Sequence, residues 1–463
     1  MSTIEVTSPY DGKVVGSVPF TDVAGVEKAI DVAYEKFLDV DNWLPKYQRV
    51  AILEKLMEIM SSQVEELTIL CASEGGKPYM DSKVEIQRAI NGVKIAIEQL
   101  AIQEGTEVAM GHTASSANRM AYTMKEPIGV VAAISAFNHP FNLAIHQVIP
   151  ALAVGCPVII RPATQTPMSA VKLVELLSEA GLPEGWAQAV VCDRAGGELL
   201  VTSPKTAFFT FIGSGPVGWY LNSKSSPGTR SALEHGGVAP VIVEPDADID
   251  AMIPDLGKGG FYHAGQVCVS VQRVFVHESI VDEVASKLTA YASKLVVGNQ
   301  LDPKTEVGPL INNNEVNRVE EWVNEAKEKG GKILTGGNRI SASCYEPTVI
   351  LNPADDALVS TKEVFGPVVC VYSYSDIEDA FDRANALDVS FQAAVFTKNI
   401  DTALKAVKRL NGTAVMVNDH TAFRVDWMPF GGAKASGLGL GGIHHSMEEC
   451  SNEKMMVIKS PVL

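Results

Sequence analysis

Apolar residues recur at helical spacing through the first hundred residues of the chain. Three such stripes predict three helices that each bury one face against a core. The first helix follows Thr21 or Asp22, either of which can cap a helix N-terminus. Its apolar positions are Val26, Ile30, Ala33 and Phe37. The second stripe spans residues 53–67 and stops at the glycines 75–76, and the third spans residues 84–97.

Residues 104–126 have a different texture, with short polar and β-branched runs that predict a hairpin leaving the main body. Strands and helices then alternate. Residues 129–137 form a near-continuous apolar run, as a strand buried on both faces requires. The pattern further predicts a helix over 143–153, a strand over 156–161, a helix over 168–179, and strands over 187–192 and 207–213.

This alternation predicts parallel βαβ units and a doubly wound α/β sheet. Ligands of such sheets bind outside the carboxyl ends of the strands, so we expect a site at the loops after Ile134, Ile160 and Ile212. A second alternating region covers about residues 240–434 and predicts a second α/β domain. The length of 463 residues agrees with two or three domains of roughly 150 residues each.

Composition narrows the class of protein. Lys plus Arg number 38 against 55 Asp plus Glu, and the net charge of −17 argues against nucleic acid or an anionic membrane as partner. No run approaches the ~20 apolar residues of a membrane span, and the first residues do not resemble a secretion signal. Seven scattered cysteines without a CxxC pair indicate reduced thiols in the cytoplasm, and no cluster has metal-ligand spacing, so no metal is expected.

A glycine-rich loop at residues 213–218 matches the pattern GxGxxG, directly after an apolar strand and at the start of an apparent helix. Such a loop lets a dinucleotide phosphate approach the backbone N–H groups of the helix N-terminus, although an ordinary tight turn also fits the pattern. Glu234 lies at about the 20-residue distance where this fingerprint places an acidic ligand of the ribose. The motif alone therefore predicts that Glu234 binds ribose.

Further segments resemble the aldehyde dehydrogenase superfamily and change that interpretation. The three strongest are LEHGG at residues 233–237, GQVC at 265–268 and FNHP at 137–140. Supporting matches are EGGKP at 74–78, KEVFGP at 362–367 and PFGGAKASG at 429–437. In this family the glutamate of the first segment is a catalytic base, so the resemblance implies that Glu234 is not a ribose ligand.

The resemblance also implies the domain organisation. It implies an atypical Rossmann-type parallel-sheet cofactor domain, a second α/β catalytic domain and a small β oligomerisation hairpin. Their expected ranges are 1–105 with 127–236, then 237–445, and finally 106–126 with 446–463. The hairpin implies a homodimer or a homotetramer.

The same resemblance implies three catalytic residues. Cys268 is the expected nucleophile, which attacks an aldehyde to form a thiohemiacetal and, after hydride transfer to the nicotinamide, a thioester. Glu234 activates the water that hydrolyses the thioester. Asn138 donates a hydrogen bond to the developing oxyanion, although a structural Asn turn before Pro140 is the alternative.

Eleven residues are expected to bind NAD or NADP. They are Ser135, Ala136, Phe137, Arg161, Ala163, Thr164, Gly213, Ser214, Gly218, Glu363 and Phe365. The family usually has a glutamate where Thr164 stands, and that glutamate repels a 2′-phosphate. Because Thr164 removes the repulsion and Arg161 retains a cation, we expect NADP to be accepted and slightly favoured.

The substrate is expected to be a small polar, hydroxylated or anionic aldehyde. Arg424 is the candidate selector, although a structural ion pair with Asp426 or another acidic residue is an equally good interpretation. Further candidates for the substrate site are Asn142, His146 and Trp427. His139 and His235 stand where the family more often has apolar residues, and we expect each to be hydrogen-bonded. A CoA-acylating relative and a non-catalytic member of the family are the alternatives for function.

Overall fold

The computed structural model describes residues 2–463. The N-terminal region begins with a β-hairpin and continues with four helices. Its elements are β1 (Thr3–Thr7), β2 (Val14–Pro19), α1 (Val23–Leu38), α2 (Lys46–Ser62), α3 (Val64–Gly75) and α4 (Tyr79–Ile102). The hairpin corrects the expectation that this region is helical throughout. Val6 and Val18 are its buried positions, and a two-residue alternation over so few residues is a weak signal beside the long helical stripes.

The second predicted stripe belongs to two helices rather than one. Gln63 separates α2 from α3 because its backbone (φ −112°, ψ 19°) leaves the helical range. The apolar spacing continues across the break, which explains why the sequence pattern did not reveal it. Gly76 ends α3 in the left-handed conformation (φ 73°), as expected for a C-terminal glycine.

A parallel sheet follows, preceded by two strands of a smaller sheet. The two strands are β3 (Glu107–Val108) and β4 (Arg119–Pro127). The following elements are β5 (Val130–Ile134), α5 (Pro140–Val154), β6 (Val158–Arg161), α6 (Met168–Glu179), β7 (Ala187–Ala189), α7 (Arg194–Thr202), β8 (Thr206–Ile212), α8 (Gly215–Asn222) and β9 (Arg230–Glu234). Strands β5 and β7 are shorter than predicted. Helix α5 starts three residues earlier than predicted because Pro140 occupies a first-turn position, where a missing N–H costs little.

The second α/β region is the longest part of the chain. Its elements are β10 (Pro240–Val243), α9 (Ile249–Phe261), β11 (Arg273–His277), α10 (Val281–Ala292), α11 (Asn313–Glu328), β12 (Lys332–Thr335), β13 (Thr348–Leu351), α12 (Leu358–Thr361), β14 (Val368–Tyr374), α13 (Ile377–Asn385), β15 (Val389–Ser390), β16 (Gln392–Phe396), α14 (Ile400–Arg409) and β17 (Ala414–Val417). The chain ends with β18 (Ala433–Lys434), β19 (Gly437–Leu438), α15 (Ile443–Glu449) and β20 (Ser451–Lys459).

Two large sheets organise these elements. One has the strand order β19-β9-β8-β5-β6-β7 and is parallel except for the edge strand β19. The other has the order β12-β13-β14-β11-β10-β16-β17 and is parallel except for β12. Each sheet has its own large hydrophobic core. The predicted pair of α/β sheets is therefore confirmed.

The small third sheet is antiparallel, with β4 between β3 and β20. Strand β20 pairs along its whole length with β4, from Ser451 opposite Pro127 to Lys459 opposite Arg119. The segment near residues 106–126 and the C-terminal segment are thus hydrogen-bonded to each other in one sheet. Among residues 2–463, no helix is long and apolar enough to cross a membrane.

Candidate active site

A cavity of about 1,020 Å³ is lined by residues of both α/β regions. The segments after β5, β6, β8 and β9 all line it, and they include the three loops where the sequence predicts a site. We divide its lining by the elements that supply it. The glycine-loop arm comprises the residues 134–137, 161, 163–165, 211–214 and 216–217 with Glu363 and Phe365. The cationic arm comprises Arg88, Asn142, Lys258, Tyr262, Phe423 and Arg424.

Cys268 lines this cavity and differs from the other cysteines. Its side chain is partly exposed, whereas the other six cysteines are buried. The backbone before it takes left-handed conformations at His263 (φ 48°), Ala264 (φ 54°) and Gly265 (φ 70°). A Cβ on Gly265 would overlap the carbonyl of Gly366, so only glycine fits there. This tight turn presents Cys268 to the cavity.

Glu234, the last residue of β9, is the carboxylate next to the thiol. Its Oε1 atom lies 3.9 Å from Sγ of Cys268. Burial raises the pKa of Glu234, and the positive charge of Arg424 opposes that rise. Burial and the charge of Glu234 raise the pKa of the Cys268 thiol well above its usual value. The thiol is therefore protonated at rest, with the carboxyl group of Glu234 beside it.

Asn138 lies in the loop between β5 and α5, and its amide is held in place. Nδ2 donates to the carbonyl of Gln266 (2.9 Å), in the turn that leads to Cys268. An amide nitrogen has two N–H groups, so one remains for another acceptor. Asn138 itself lines the cavity, which makes that second N–H available to a ligand oxygen.

A buried ion pair supports the loop that carries Asn138. Oε1 of Glu85 accepts hydrogen bonds from the backbone N–H groups of Phe141 and Asn142, both at 3.0 Å. Glu85 is in turn paired with Lys77, and both side chains are fully buried. The carboxylate thus satisfies the N-terminus of α5, where free N–H groups and the helix dipole favour a negative charge. Asn138 is preorganised by this arrangement.

The glycine-loop arm contains polar atoms that suit a dinucleotide. Three buried atoms make no hydrogen bond to any group in residues 2–463: Oγ of Ser135, Nε of Arg161 and Oε1 of Glu363. Buried polar atoms are ordinarily paired, so these three fit a polar ligand. Ser214 precedes the first turn of α8 and makes no capping bond with its own side chain, which leaves this helix N-terminus open toward the cavity.

Glu363 is held by a close approach of the backbone. A Cβ on Gly236 would overlap its carboxylate, so the LEHGG segment needs glycine at this position. Burial raises the pKa of Glu363 to about 8, and this carboxyl group is mainly protonated at neutral pH. A protonated carboxyl can donate as well as accept, which suits a ribose hydroxyl.

Ten of the eleven residues expected to bind the cofactor line the cavity. They are Ser135, Ala136, Phe137, Arg161, Ala163, Thr164, Gly213, Ser214, Glu363 and Phe365. Gly218 does not line the cavity. A Cβ at this position would overlap the imidazole of His235. Gly218 therefore makes room for that ring, whose Nδ1 is 2.9 Å from the carbonyl oxygen of Gly213. His235 is hydrogen-bonded, as expected, and so is His139, whose Nε2 lies 3.3 Å from the hydroxyl of Tyr262.

The cationic arm is organised by Asp426, which is only 2% exposed. Arg88 donates to both of its oxygens, from Nη2 at 2.7 Å and from Nε at 3.1 Å. Nε2 of His146 lies 2.8 Å from Oδ1 of the same carboxylate. Burial acts to raise the pKa of Asp426, but the bonds from His146 and Arg88 outweigh it and hold that pKa well below its usual value.

Arg424 is free of Asp426, so the expected ion-pair alternative is absent. Its guanidinium lies over the ring of Phe430, 3.6 Å from the centroid, and Nη2 is 3.4 Å from Nδ1 of His146. Burial and the charge of Arg424 lower the pKa of His146 to about 4, so this imidazole is neutral. Nε of Arg424 is buried without a partner among residues 2–463.

The four residues expected at the substrate site divide into two groups. Arg424 and Asn142 line the main cavity. His146 lies behind Arg424 and lines a smaller cavity, while Trp427 is 59% exposed and lines neither. Sequence reasoning missed Arg88, because a single arginine in the α4 stripe has the pattern of an ordinary surface position. It also missed Lys258 and Tyr262, for which the sequence carried no separate signal.

Comparison with known proteins agrees with this site. The sequence model of the aldehyde dehydrogenase family matches residues 1–456. A 3-sulfolactaldehyde dehydrogenase of Priestia aryabhattai is 39% identical over 457 residues, covering 98% of this chain and 94% of that protein. A lactaldehyde dehydrogenase of Methanocaldococcus jannaschii is 36% identical over 460 residues, covering 98% of this chain and 97% of that protein.

A solved structure matches over the full length. Glyceraldehyde-3-phosphate dehydrogenase GapN from Methanocaldococcus jannaschii, complexed with NADP, superposes with a TM-score of 0.94 at 34% identity and covers 99% of both chains. The chain therefore belongs to the aldehyde dehydrogenase family. It is an NAD(P)-dependent aldehyde dehydrogenase, and both the resemblance and the fold class predicted from the sequence are confirmed.

Proposed function

We propose that this enzyme oxidises a small anionic aldehyde to its carboxylic acid with Cys268 as nucleophile. The observation that carries the proposal is one cavity in which Cys268 and Glu234 adjoin two arginines, Arg88 and Arg424. A thiol, a base and cations in one enclosed space supply attack, proton transfer and recognition of an anion.

The residues near the thiol account for each chemical requirement. Glu234 accepts the proton of Cys268, and the sulfur then bonds to the aldehyde carbon. The free N–H of Asn138 and the backbone N–H of Cys268 stabilise the resulting oxyanion, a contact worth about 3–4 kcal/mol in a transition state. A bound nicotinamide supplies the hydride acceptor. Once Glu234 has released that first proton to solvent, its carboxylate takes a proton from the water that hydrolyses the thioester.

The cationic arm favours an aldehyde with a negative group. Asp426 fixes Arg88 by two hydrogen bonds, whereas Nε of Arg424 is free for a ligand. The enzymes similar to this chain are named for 3-sulfolactaldehyde, lactaldehyde and glyceraldehyde 3-phosphate. These aldehydes are short and hydroxylated, and two of the three carry a strong acid. We therefore propose a short hydroxylated aldehyde that carries a sulfonate, phosphate or carboxylate.

NADP is the proposed preferred cofactor. Thr164 and Arg161 both line the glycine-loop arm, and neither repels a phosphate. Nη2 of Arg161 donates to the carbonyl of Cys192 (3.2 Å). Its Nε is buried and has no partner among residues 2–463, so it can donate to a ligand. The bound NADP of the superposed GapN structure supports the same preference.

A homodimer built on the third sheet is the proposed assembly. Only one edge of β20 is paired within residues 2–463, and four consecutive side chains on it are exposed: Met455, Met456, Val457 and Ile458. An apolar strand with a free edge is a template for pairing with another chain. The three-part domain division and a cytoplasmic location, which the free thiols favour, remain predictions.

The test follows absorbance at 340 nm with NAD⁺ and NADP⁺ in parallel, using aldehydes of matched length. The panel pairs neutral and hydroxylated aldehydes with carboxylated, phosphorylated and sulfonated ones. We expect turnover without CoA, concentrated in the anionic members and faster with NADP⁺. Turnover that requires CoA would assign the acyl-CoA reaction instead, and no turnover with any member would favour a non-catalytic role.

A further inference from the structure

Glu234 lies between two cavities. Besides the main one, it lines a second cavity of about 40 Å³ that Cys268 does not reach. The polar and charged residues around this second cavity are His146, Gln147, Thr210, Glu234, Arg424, Ser446 and Glu449. Because about 10–15 Å³ of such space suffices for a water molecule, and polar groups surround it, the second cavity is a place for water.

The two carboxylate oxygens of Glu234 face different directions. Oε1 is the atom 3.9 Å from the sulfur of Cys268. Oε2 lies 3.8 Å from the point where a Cβ on Gly441 would stand, and Gly441 lines the second cavity. A residue with a side chain at this position would extend toward Oε2. Glycine keeps the space beside that oxygen open.

Gln147 supplies independent support for water in the second cavity. Its Nε2 donates to the carbonyls of Ile134 (3.1 Å) and Thr210 (3.2 Å), and two carbonyl acceptors define which end of the amide is the nitrogen. The opposite atom, Oε1, is buried and accepts no hydrogen bond from any group in residues 2–463. Buried acceptors are ordinarily bonded either to protein or to ordered water, and here water is the available donor.

The second cavity also extends toward the protein surface. Leu438 and Leu440 line it, and their side chains are 45% and 42% exposed. Both belong to the glycine-rich segment around β19, at the edge of the first sheet. The second cavity thus lies between Glu234 and residues that contact bulk solvent.

We propose that Glu234 discharges the proton of thioester hydrolysis through water in this second cavity. The inference rests on the proposed function. In that step the water oxygen bonds to the thioester carbon, one water proton goes to Glu234, and the C–S bond breaks with its electron pair on Cys268. The second water proton passes from the carboxylic acid product to that thiolate, which restores the resting thiol. A turn of the Glu234 carboxyl group then brings the proton to the side of Oε2, and cavity water carries it to solvent. Substrate and product do not block this exit.

The experiment fills the second cavity with a larger side chain and leaves Cys268, Glu234 and Asn138 unchanged. Ala232 lies in β9, lines the second cavity and is not in the main one, so Ala232→Val adds two carbons where the water would be. Ala189→Val is the matched control, since Ala189 is also a partly buried alanine packed against the same core, in β7 of the same sheet. Gln147→Met is a second variant, which removes the unpaired acceptor at similar size.

Rapid mixing separates the two half-reactions. The NAD(P)H burst reports thioester formation, and the decay of the acyl-enzyme, followed by mass spectrometry after acid quenching, reports hydrolysis. We expect Ala232→Val to slow the decay about ten-fold while the burst rate stays within about two-fold, with Gln147→Met changing the decay in the same direction and Ala189→Val behaving as wild type.

Two results would overturn the inference. One is a folded Ala232→Val enzyme, with the melting temperature of Ala189→Val, whose acyl-enzyme decays at the wild-type rate. The other is a parallel loss of burst rate and decay rate, which would indicate general distortion of the site. A wild-type enzyme that forms no acyl-enzyme at all would instead contradict the proposed function, so the two failures are distinguishable.

Discussion

The two arms of the main cavity are built from different parts of the fold. Most of the glycine-loop arm comes from the ends of neighbouring strands in one sheet, together with Glu363 and Phe365. The cationic arm draws on α4, α5, α9 and the loop before β18, which are far apart in sequence. The first arm combines strand-end backbone with the side chains of Arg161, Glu363 and Phe365. The second is shaped by the guanidinium groups of Arg88 and Arg424, of which only Arg88 is paired with Asp426.

This difference indicates which residues of the site tolerate substitution. A phosphate cradle made of backbone N–H groups depends on the strand ends and on glycine, and it is independent of most side-chain identities. An anion site made of guanidinium groups depends on each side chain and on the carboxylate that orients it. We therefore expect substitutions in the cationic arm to alter substrate choice and those in the glycine-loop arm to alter cofactor choice.

The largest effect on kcat/KM is expected when Cys268 is replaced. Cys268→Ala removes the nucleophile, and kcat/KM for every aldehyde should fall by about 10⁴-fold or more with either cofactor. Cys344→Ala, which removes a buried thiol in the same half of the chain, should leave steady-state kinetics unchanged. If Cys268→Ala turned over close to the wild-type rate, Cys268 would not be the nucleophile.

A smaller effect should separate the arms by substrate. Arg88→Met removes a guanidinium held by Asp426, and kcat/KM for an anionic aldehyde should fall about 100-fold, the value of a charge-assisted hydrogen bond. Its neutral analogue and the preference between the two cofactors should change little. The control is Arg409→Met, which removes the same charge from α14 on the surface. An equal loss for both aldehydes would mean that Arg88 only supports the fold.

The reciprocal change in the glycine-loop arm is expected to be about ten-fold. Thr164→Glu places a carboxylate in the lining and should reduce kcat/KM for NADP⁺ relative to NAD⁺ through charge repulsion. Thr164→Gln adds the same bulk without the charge and should keep the wild-type ratio. Steady-state kinetics with one aldehyde and both cofactors measure this ratio, and an unchanged ratio in Thr164→Glu would exclude position 164 as the selector.

The smallest effect links the two arms through pH. Burial raises the pKa of Glu234, and the base works only when ionised, so acyl-enzyme hydrolysis should rise with pH up to that raised pKa. The charge of Arg424 lowers the same pKa, so Arg424→Met should move the acid limb of the hydrolysis profile to higher pH. The profile of Arg409→Met should coincide with wild type. If the acid limb of Arg424→Met stays at the wild-type pH, the charge of Arg424 does not influence the pKa of Glu234.

The fold and the residues that meet in the candidate site were largely predictable, because their signals are local. Long apolar runs and helical stripes indicate both sheets, and Cys268, Glu234 and Asn138 each lie in a short motif. The β1–β2 hairpin and the break at Gln63 were not predictable, since neither interrupts the hydrophobic periodicity for long. Arg88 meets Asp426 across 338 positions of sequence, and no local pattern records such a contact.

Gly218 shows the limit of motif reasoning in the opposite direction. It completes the GxGxxG pattern, yet its missing side chain accommodates His235 rather than a phosphate. The pattern identifies a position where only glycine fits, but the neighbour that requires glycine is visible only in three dimensions. Trp427 is a second case in which the position in the sequence misled. It directly follows the buried Asp426, yet its side chain faces solvent and does not line the cavity.

The elevated pKa of Cys268 has a consequence for the survival of the enzyme under oxidative stress. Peroxides oxidise thiolates far faster than thiols, so a nucleophile that rests as a protonated thiol beside Glu234 is oxidised slowly. Under the proposed function, the thiolate forms when Glu234 takes the proton, and the aldehyde then consumes it. The geometry that arms the enzyme for its substrate thus also protects it from irreversible sulfinic and sulfonic acid formation between turnovers.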